Sequence, residues 1–470
     1  MIIDKIADFA KVLPEVKKPT QQRVPFNTKL KWTLIMLVSY FLLSLVPLFG
    51  LGERALQQFE SLSVILGASF GSLMSLGIGP IVTASIILQV LVGADLLKID
   101  MSSSEGKKKF QALQKIFAIV FVIVEGAIYV YLGGLSPAPY YDPASNHFIA
   151  NQIEGAIALS AFQISALKFL LFLQVCLGGF LVILMDDVVS KWGFGSGISL
   201  FIVAGVSRSI FLGAFSWIKT DGVHFNGAVL GVFQALSMGE ITILLDQGSR
   251  ILFTVLVFVL AVYLQSMKIE IPLSPGRVRG YSVRWPLNFV YTSNIPVILT
   301  ATLLNNIAMF TGFIVKNAAR ASQLRLFFSG PKIIQNLINA SFTPDLIGAM
   351  FVYLGLMVGG AILFSLFWVK TSGMDPASQA DQIIGSGLQI PGFRRDKKIL
   401  ERILSKYIWP LTVLGGASVG FLAAFADMTN ALSRGTGILL SVMIIYKLYE
   451  EITREHAVDM PAPLRKFFSV

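Results

Sequence analysis

One cysteine and three histidines in 470 residues leave little material for a disulfide framework, a metal centre or a histidine-dependent active site. Cys176 has no partner for an intrachain disulfide and sits in an apolar run, where a thiol packs as a small hydrophobe. His147, His224 and His456 fall in two external loops and the tail of the topology derived below, so no histidine inside a span is expected to ligate a metal or to serve a nucleophile. Charge is also scarce, with 14% of residues Asp, Glu, Lys or Arg and 54% apolar. Together with a mean hydropathy of +0.71, that excludes a soluble globule and fits a polytopic membrane protein. The run GFGSG from Gly193 to Gly197 is not followed by a GK[ST] element, so it reads as a glycine-rich turn between spans and not as a phosphate loop. Asp186 and Asp187 are adjacent at a span end, the wrong arrangement for a catalytic aspartate pair. No enzyme activity, cofactor or metal site is expected.

What the chain has in quantity is uncharged length. Spanning structures are helices or closed barrels because lipid offers no partners for backbone polar groups, and long apolar runs, in place of short alternating ones, select helices. The expected spans are 32–51, a broken second element, 113–133, 166–186, 196–213, 249–267, 289–311, 346–369, 407–427 and 435–450. The broken element comes from Ser61 to Ala94, which contains no charged residue. As one straight helix it would be about 50 Å long, against a bilayer core of about 30 Å. Gly77, Gly79 and Pro80 mark the break, with a half-helix over 55–72 before it and a helix from Pro80 to Val92 after it. Non-helical backbone at membrane depth survives only where protein buries it or water reaches it, so the break implies a cavity or a path.

The expected fold class is therefore an all-α membrane protein of ten transmembrane helices. Residues 1–213 hold spans 1–5, a polar external linker covers 214–247, and 248–470 hold spans 6–10. An odd number of spans per half requires inverted topology if the two halves are structural repeats, and such halves usually enclose a path at their interface. With the N-terminus inside, the external side holds only Arg54, Lys168, Arg208, Lys219, Arg250, Lys316, Arg320, Arg325, Lys332 and Arg434 of the 38 lysines and arginines. That bias places both termini in the cytoplasm. The first span reads as retained and not as a cleaved leader. Residues 2–13 read either as a helix on the membrane surface or as a frayed amphipathic tail.

Few residues inside the spans carry polar chemistry. Glu125 lies near the centre of span 3, where an ionised side chain costs about 2.5 kcal/mol or more unless paired or hydrated. Thr83 and Asn306 are candidate partners; the alternative is a neutral Glu125 hydrogen-bonded in a packed interface. Two cytoplasmic loops, 268–288 and 370–406, are long and basic. Positive-inside topology alone accounts for their charge, while their clustered guanidinium groups also suit a polyanion such as ribosomal RNA.

Five stretches resemble the SecY family, the central subunit of the Sec protein-conducting channel, in its archaeal and eukaryotic branch. They are GIGPIVTASIILQ (Gly77 to Gln89), DDVVSKWGFGSGISLFI (Asp186 to Ile202), EIPLSPGRVRG (Glu270 to Gly280), FVYTSNIPVIL (Phe289 to Leu299) and RGTGILL (Arg434 to Leu440). They occur in the right order and on the right spans. The resemblance implies a channel that passes secretory polypeptides across the membrane and releases transmembrane helices sideways into lipid. It implies an aliphatic pore ring at Ile78, Val82, Ile198, Ile202, Ile298 and Leu440, and a plug at 55–72. It implies a lateral gate between spans 2 and 3 on one side and 7 and 8 on the other, with Thr83, Glu125 and Asn306 as its polar cluster. Arg277, Arg279, Arg394 and Arg395 match the ribosome-facing arginines. The implied partners are a translating ribosome, signal peptides and nascent chains, membrane lipid, and small subunits of the SecE and beta types. The rival reading is a secondary transporter with inverted repeats, which would need a midplane site built from charges and half-helix ends. Arg434 and the basic external segment 312–345 receive no role from the resemblance.

Overall fold

The computed structural model describes residues 14–20, 24–51, 71–94, 96, 97, 99, 103–131, 134–143, 147–149, 156–219, 224–275, 283–292, 294–314, 318–338, 340, 341, 343–386, 388, 389 and 396–456. Residues 2–13 and 52–70, the latter with most of the expected plug, lie outside the described residues.

In chain order the helices are α1 (Phe26–Leu45), α2 (Gly79–Gly93), α3 (Ser104–Tyr131), α4 (Ala161–Trp192), α5 (Gly197–Phe215), α6 (Ala228–Met238) and α7 (Ile241–Ser266). After them come α8 (Ile295–Ile314), α9 (Ala318–Ser329), α10 (Ile333–Ile338), α11 (Pro344–Thr371), α12 (Pro376–Gly385), α13 (Lys397–Met428) and α14 (Gly435–His456). Each expected span overlaps a helix, the second through its part after the break; the half-helix expected before the break lies outside the described residues but for 71 and 72. Seven of the helices, α1, α3, α4, α5, α7, α11 and α13, are long and apolar enough to cross a membrane. The helix α2 is shorter because the chain breaks before it, and α14 turns charged after Ile445, at Lys447, Glu450, Glu451 and Arg454.

The helix ends differ from the expected ones: the first helix stops at Leu45 where the expected span reaches 51, α8 starts at Ile295 and not 289, and others run longer than expected. The first begins at Phe26 and not Trp32, and takes in Lys29 and Lys31; Lys31 is exposed, while the Lys29 ammonium lies over the Phe194 ring, 5.8 Å from its centroid. The fourth extends from Ala161 to Trp192, opened by a capping box in which Ser160 Oγ accepts from Gln163 N at 3.3 Å and Gln163 Oε1 accepts from Ser160 N at 2.8 Å. Asp396 caps α13 by accepting from Lys398 N at 2.9 Å, and Asp375 caps α12 with Pro376 in its first turn. Two expected loops contain structure of their own. The linker 214–247 holds α6 and the start of α7, and the segment 312–345 holds α9 and α10.

Two small antiparallel sheets accompany the helices. One has the order β2-β1-β3, from Tyr140–Asp142 (β1), His147–Ile149 (β2) and Ile157–Ala158 (β3). The other has the order β5-β4-β6, from Lys268–Pro275 (β4), Val283–Asn288 (β5) and Leu388–Gln389 (β6).

The chain forms two compact units, one of residues 1–85, 112–210 and 444–470, the other of 86–111 and 211–443. In the first, Tyr40 of α1 stacks on Phe201 of α5 with ring centroids 4.5 Å apart. Phe26 meets Phe194 at 5.2 Å, with Leu30, Leu448 and Ile452 around them. Phe194 N donates to Thr33 Oγ1 at 3.0 Å, and Lys29 pairs with Glu455 at 3.5 Å. The start of α1, the end of α4 and the end of α14 thus lie at one end of this unit. Residues 15–17 bind there as well. Val16 N donates to Asp187 Oδ2 at 2.9 Å, Lys191 Nζ reaches Glu15 at 2.6 Å and the Val16 carbonyl at 2.7 Å, and Trp192 Nε1 donates to the Lys17 carbonyl at 2.9 Å.

In the second unit α11 and α13 pack through small residues. Lipid supplies no hydrophobic drive for helix association, so close van der Waals packing and hydrogen bonds carry it. A Cβ added at Gly416 would stand 2.6 Å from Ser365 Oγ, and one at Gly420 would stand 2.8 Å from Ala361 Cβ. A second apolar cluster joins Ile271 and Leu287 of the β4–β5 hairpin to Val369, Ile383, Leu400, Leu404 and Ile408. The described parts of the two basic loops, 268–288 and 370–406, therefore pack together.

Candidate pore ring and gate

The first unit contributes Ile78, Val82, Ile198 and Ile202. Residues 71–78 form a run of turns clamped to the end of α1, with Leu48 N donating to Gly71 O at 2.8 Å and Leu73 N to Val46 O at 2.9 Å. Gly77 has φ +52°, the left-handed conformation that glycine adopts without steric cost, and it turns the chain into α2. The Ile78 carbonyl then accepts from Ile81 N and Val82 N, both at 3.1 Å, so Ile78 is the residue on which α2 starts. Val82 follows one turn later on the same face. Both are buried.

Ile198 and Ile202 repeat that spacing at the start of α5; Ile202 is buried and Ile198 half-buried. Asp186, on α4, accepts from the Ile198 backbone N–H at 3.0 Å and caps α5 from outside the helix. The carboxylate whose placement is wrong for a protease is a structural cap that sets the first turn of α5. In the second unit Ile298 lies in the first turn of α8, its N–H donating to Asn294 O at 3.2 Å, and Leu440 lies in the second turn of α14; both are buried. All six aliphatic positions thus sit at, or within two turns of, the start of a helix.

Of the expected polar cluster, the structure brings Thr83 and Glu125 together, the Thr83 hydroxyl hydrogen-bonding the Glu125 carboxyl. That supplies the partner which a carboxyl in an apolar span requires. Asn306 stands half-buried on α8 in the second unit. Arg277, Arg279, Arg394 and Arg395 lie outside the described residues, but the strands that carry their loops do not. Ser274 pairs with Gln389 and Pro275 with Leu388, so β6 extends the β4–β5 hairpin and joins both basic loops in one sheet. Beneath it, Tyr291 donates its hydroxyl to the Met374 carbonyl at 2.8 Å. Among the described residues no group of three or more His, Cys, Asp or Glu is placed to hold a metal ion.

Long apolar helices, a short second span that starts at a glycine turn and a packed basic hairpin define a polytopic helical membrane protein. The model of the SecY family matches residues 72–449. The protein translocase subunit SecY of Methanothermobacter thermautotrophicus is 41% identical over 99% of this chain and 98% of its own length. The SecY subunit of Methanococcus vannielii is 38% identical over 98% and 99%. Among solved structures, one of a protein-conducting channel matches with a TM-score of 0.78 at 34% identity, covering 96% of this chain and 97% of that one. A SecY structure concerned with its plug domain and the closed, sealed state gives 0.76 at 33% identity, with the same coverage. Canine Sec61 in a ribosome–channel complex from the endoplasmic reticulum gives 0.75 at 33% identity, again with that coverage. The chain belongs to the SecY family of protein translocase subunits.

Proposed function

We propose that this chain is the pore-forming subunit of a protein translocation channel in the cell membrane, passing secretory polypeptides across it and releasing transmembrane helices laterally into lipid. The observation that carries the reading is its likeness, over 99% of the chain, to a protein translocase subunit. Six buried or half-buried aliphatic side chains at or near helix starts fit that role. Ile78, Val82, Ile198, Ile202, Ile298 and Leu440 are the proposed pore ring. A narrow aliphatic constriction dewets and blocks ions, while its side chains part around a polypeptide. Residues 55–72, most of which lie outside the described residues, are the proposed plug.

Thr83, Glu125 and Asn306 are the proposed gate cluster. A polar seam is bonded when shut and is displaced by the apolar helix of a signal peptide, which gains by moving into lipid. The domain scheme is two inverted halves, 1–213 and 248–470, joined by the linker 214–247. Both termini are assigned to the cytoplasm. What supports that topology is the lysine and arginine bias, and the gathering of Lys29, Lys191 and Glu455 at one end of their unit. The proposed partners are SecE-type and beta-type small subunits, nascent chains and a translating ribosome that docks on Arg277, Arg279, Arg394 and Arg395. The channel makes and breaks no bond itself; the motion comes from the partner.

Reconstitution tests the reading. Proteoliposomes containing the channel complex are expected to take up a secretory precursor when supplied with its motor, and to pass no small solute at rest. Deleting 55–72, or replacing ring residues by glycine, is expected to raise ion leak. Solute uptake coupled to an ion gradient, without precursor uptake, would overturn the reading in favour of a transporter.

A further inference from the structure

Arg434 ends the turn between α13 and α14 and belongs to neither the ring, the gate cluster nor the basic loops. Its backbone carbonyl accepts from Ile438 N at 3.1 Å, so α14 starts on it. Its guanidinium reaches to other helices. One nitrogen, Nη1, donates to Asn305 Oδ1 on α8 at 2.6 Å, and Nη2 donates to the carbonyl of Ser329, the last residue of α9, at 3.3 Å. Asn305 is buried, and its amide nitrogen donates to the Ala301 carbonyl one turn back at 2.7 Å. The amide is thereby oriented with its oxygen toward the arginine.

The same turn is gripped on its other sides. Asp427, buried at the end of α13, accepts from the Tyr353 hydroxyl of α11 at 2.7 Å, from Thr436 N at 2.8 Å and from the Thr436 hydroxyl. Leu432 N donates to Thr254 Oγ1 of α7 at 2.9 Å. The turn cannot shift to follow α8 without breaking these bonds, so a bond from it to α8 has a fixed anchor.

Placement says what the anchor holds. On α8, Asn305 follows Ile298 by two turns and shares its face; on α14, Leu440 lies one turn beyond Thr436. A planar guanidinium whose two nitrogens meet acceptors on different helices resists rotation of either, which a lysine's single ammonium does less well. We infer that Arg434 is a positioning residue: it locks α8 to the start of α14 and so sets where Ile298 and Leu440 stand in the pore ring. This rests on the ring proposed above.

The test is planar-bilayer conductance of the channel complex purified from native membranes, for wild type, R434Q, N305L, the double variant and R434K. R434Q and N305L are each expected to raise resting conductance several-fold. The double variant is expected to exceed neither, because both changes cut one bond, and R434K to fall between wild type and R434Q. Wild-type conductance in R434Q, or effects of the two changes that simply add, would overturn the inference. If R434Q does not accumulate, N305L and R434K probe the same bond, and wild-type conductance in both overturns it. Crosslinking from residues 298 and 440 to a stalled secretory chain separates the two claims. Adducts in the wild type with unchanged leak in the variants remove only the role of Arg434; no adducts in the wild type remove the ring itself.

Discussion

The backbone oxygen of Leu73 occupies the space in which a side chain at Gly178 would begin: a Cβ added there would stand 1.7 Å from it. The turns that deliver Ile78 to the start of α2 are therefore seated in a notch on α4, and the notch exists only because residue 178 is glycine.

Gly178→Ala should push the run 71–78 away from α4. Overpacking at a closed contact costs about 1–3 kcal/mol, and here the clash is with backbone, which cannot swing aside as a side chain does. A lower melting temperature of the purified channel is expected, together with increased ion leak through a displaced Ile78. An unchanged melt and an unchanged conductance would show that the notch does not set the turn.

Asp186→Ala removes the acceptor that α5 borrows from α4, and loss of such a cap costs about 0.5–2 kcal/mol. Asp186→Asn keeps an oxygen for the Ile198 N–H and should be milder. Hydrogen exchange at the first turn of α5 is the direct measurement, with faster exchange expected in the alanine variant and near wild-type protection in the asparagine variant.

The ion pair between Glu15 and Lys191 makes the binding of residues 15–17 to α4 depend on pH. The lysine ammonium, 2.6 Å away, holds the Glu15 carboxyl below its ordinary pKa of 4.5. A carboxyl whose pKa is depressed in the folded state contributes stability above its unfolded value and loses it as pH falls through the folded value. The contribution is small, about 0–1 kcal/mol, because Glu15 is largely exposed. Proteolysis between residues 14 and 20 should therefore rise only below about pH 4.5 in the wild type. In Lys191→Ala, which also loses the bond to the Val16 carbonyl, it should already be fast at neutral pH.

Reversing the charge of Arg277 and Arg279 should weaken ribosome binding and flatten its salt dependence, by about one unit of log–log slope for each phosphate that is no longer neutralised. Binding measured across a salt series reads both quantities. Unchanged affinity and slope would remove these arginines from the docking surface.

The helices are legible in the sequence because lipid imposes one rule on every span, and the break before α2 is legible because Gly77 and Pro80 leave a helix few options. The β4–β5 hairpin is harder to see, although Ile269, Ile271 and Leu273 alternate with Lys268, Glu270 and Ser274, a period of two. Pro272 and Pro275 argue against a strand, and topology already explains the basic composition. The helix α6 is apolar but too short to span, so a hydropathy window passes over it. What sequence does not reveal is partnership at a distance. Asp186 caps a helix 12 residues on, Lys191 meets Glu15 across 176 residues and Arg434 meets Asn305 across 129. Each residue is conspicuous as a charge beside an apolar run, but only the fold says what the charge holds.

Site-specific crosslinking from residues 78, 202 and 298 to a stalled secretory nascent chain, in native membranes, tests the central claim most directly. The pore ring predicts strong adducts at all three positions and none from outward-facing positions on the same helices, such as Phe211 of α5 and Leu303 of α8. Absence of adducts from all three, with the chain arrested at a translocation site, would contradict it.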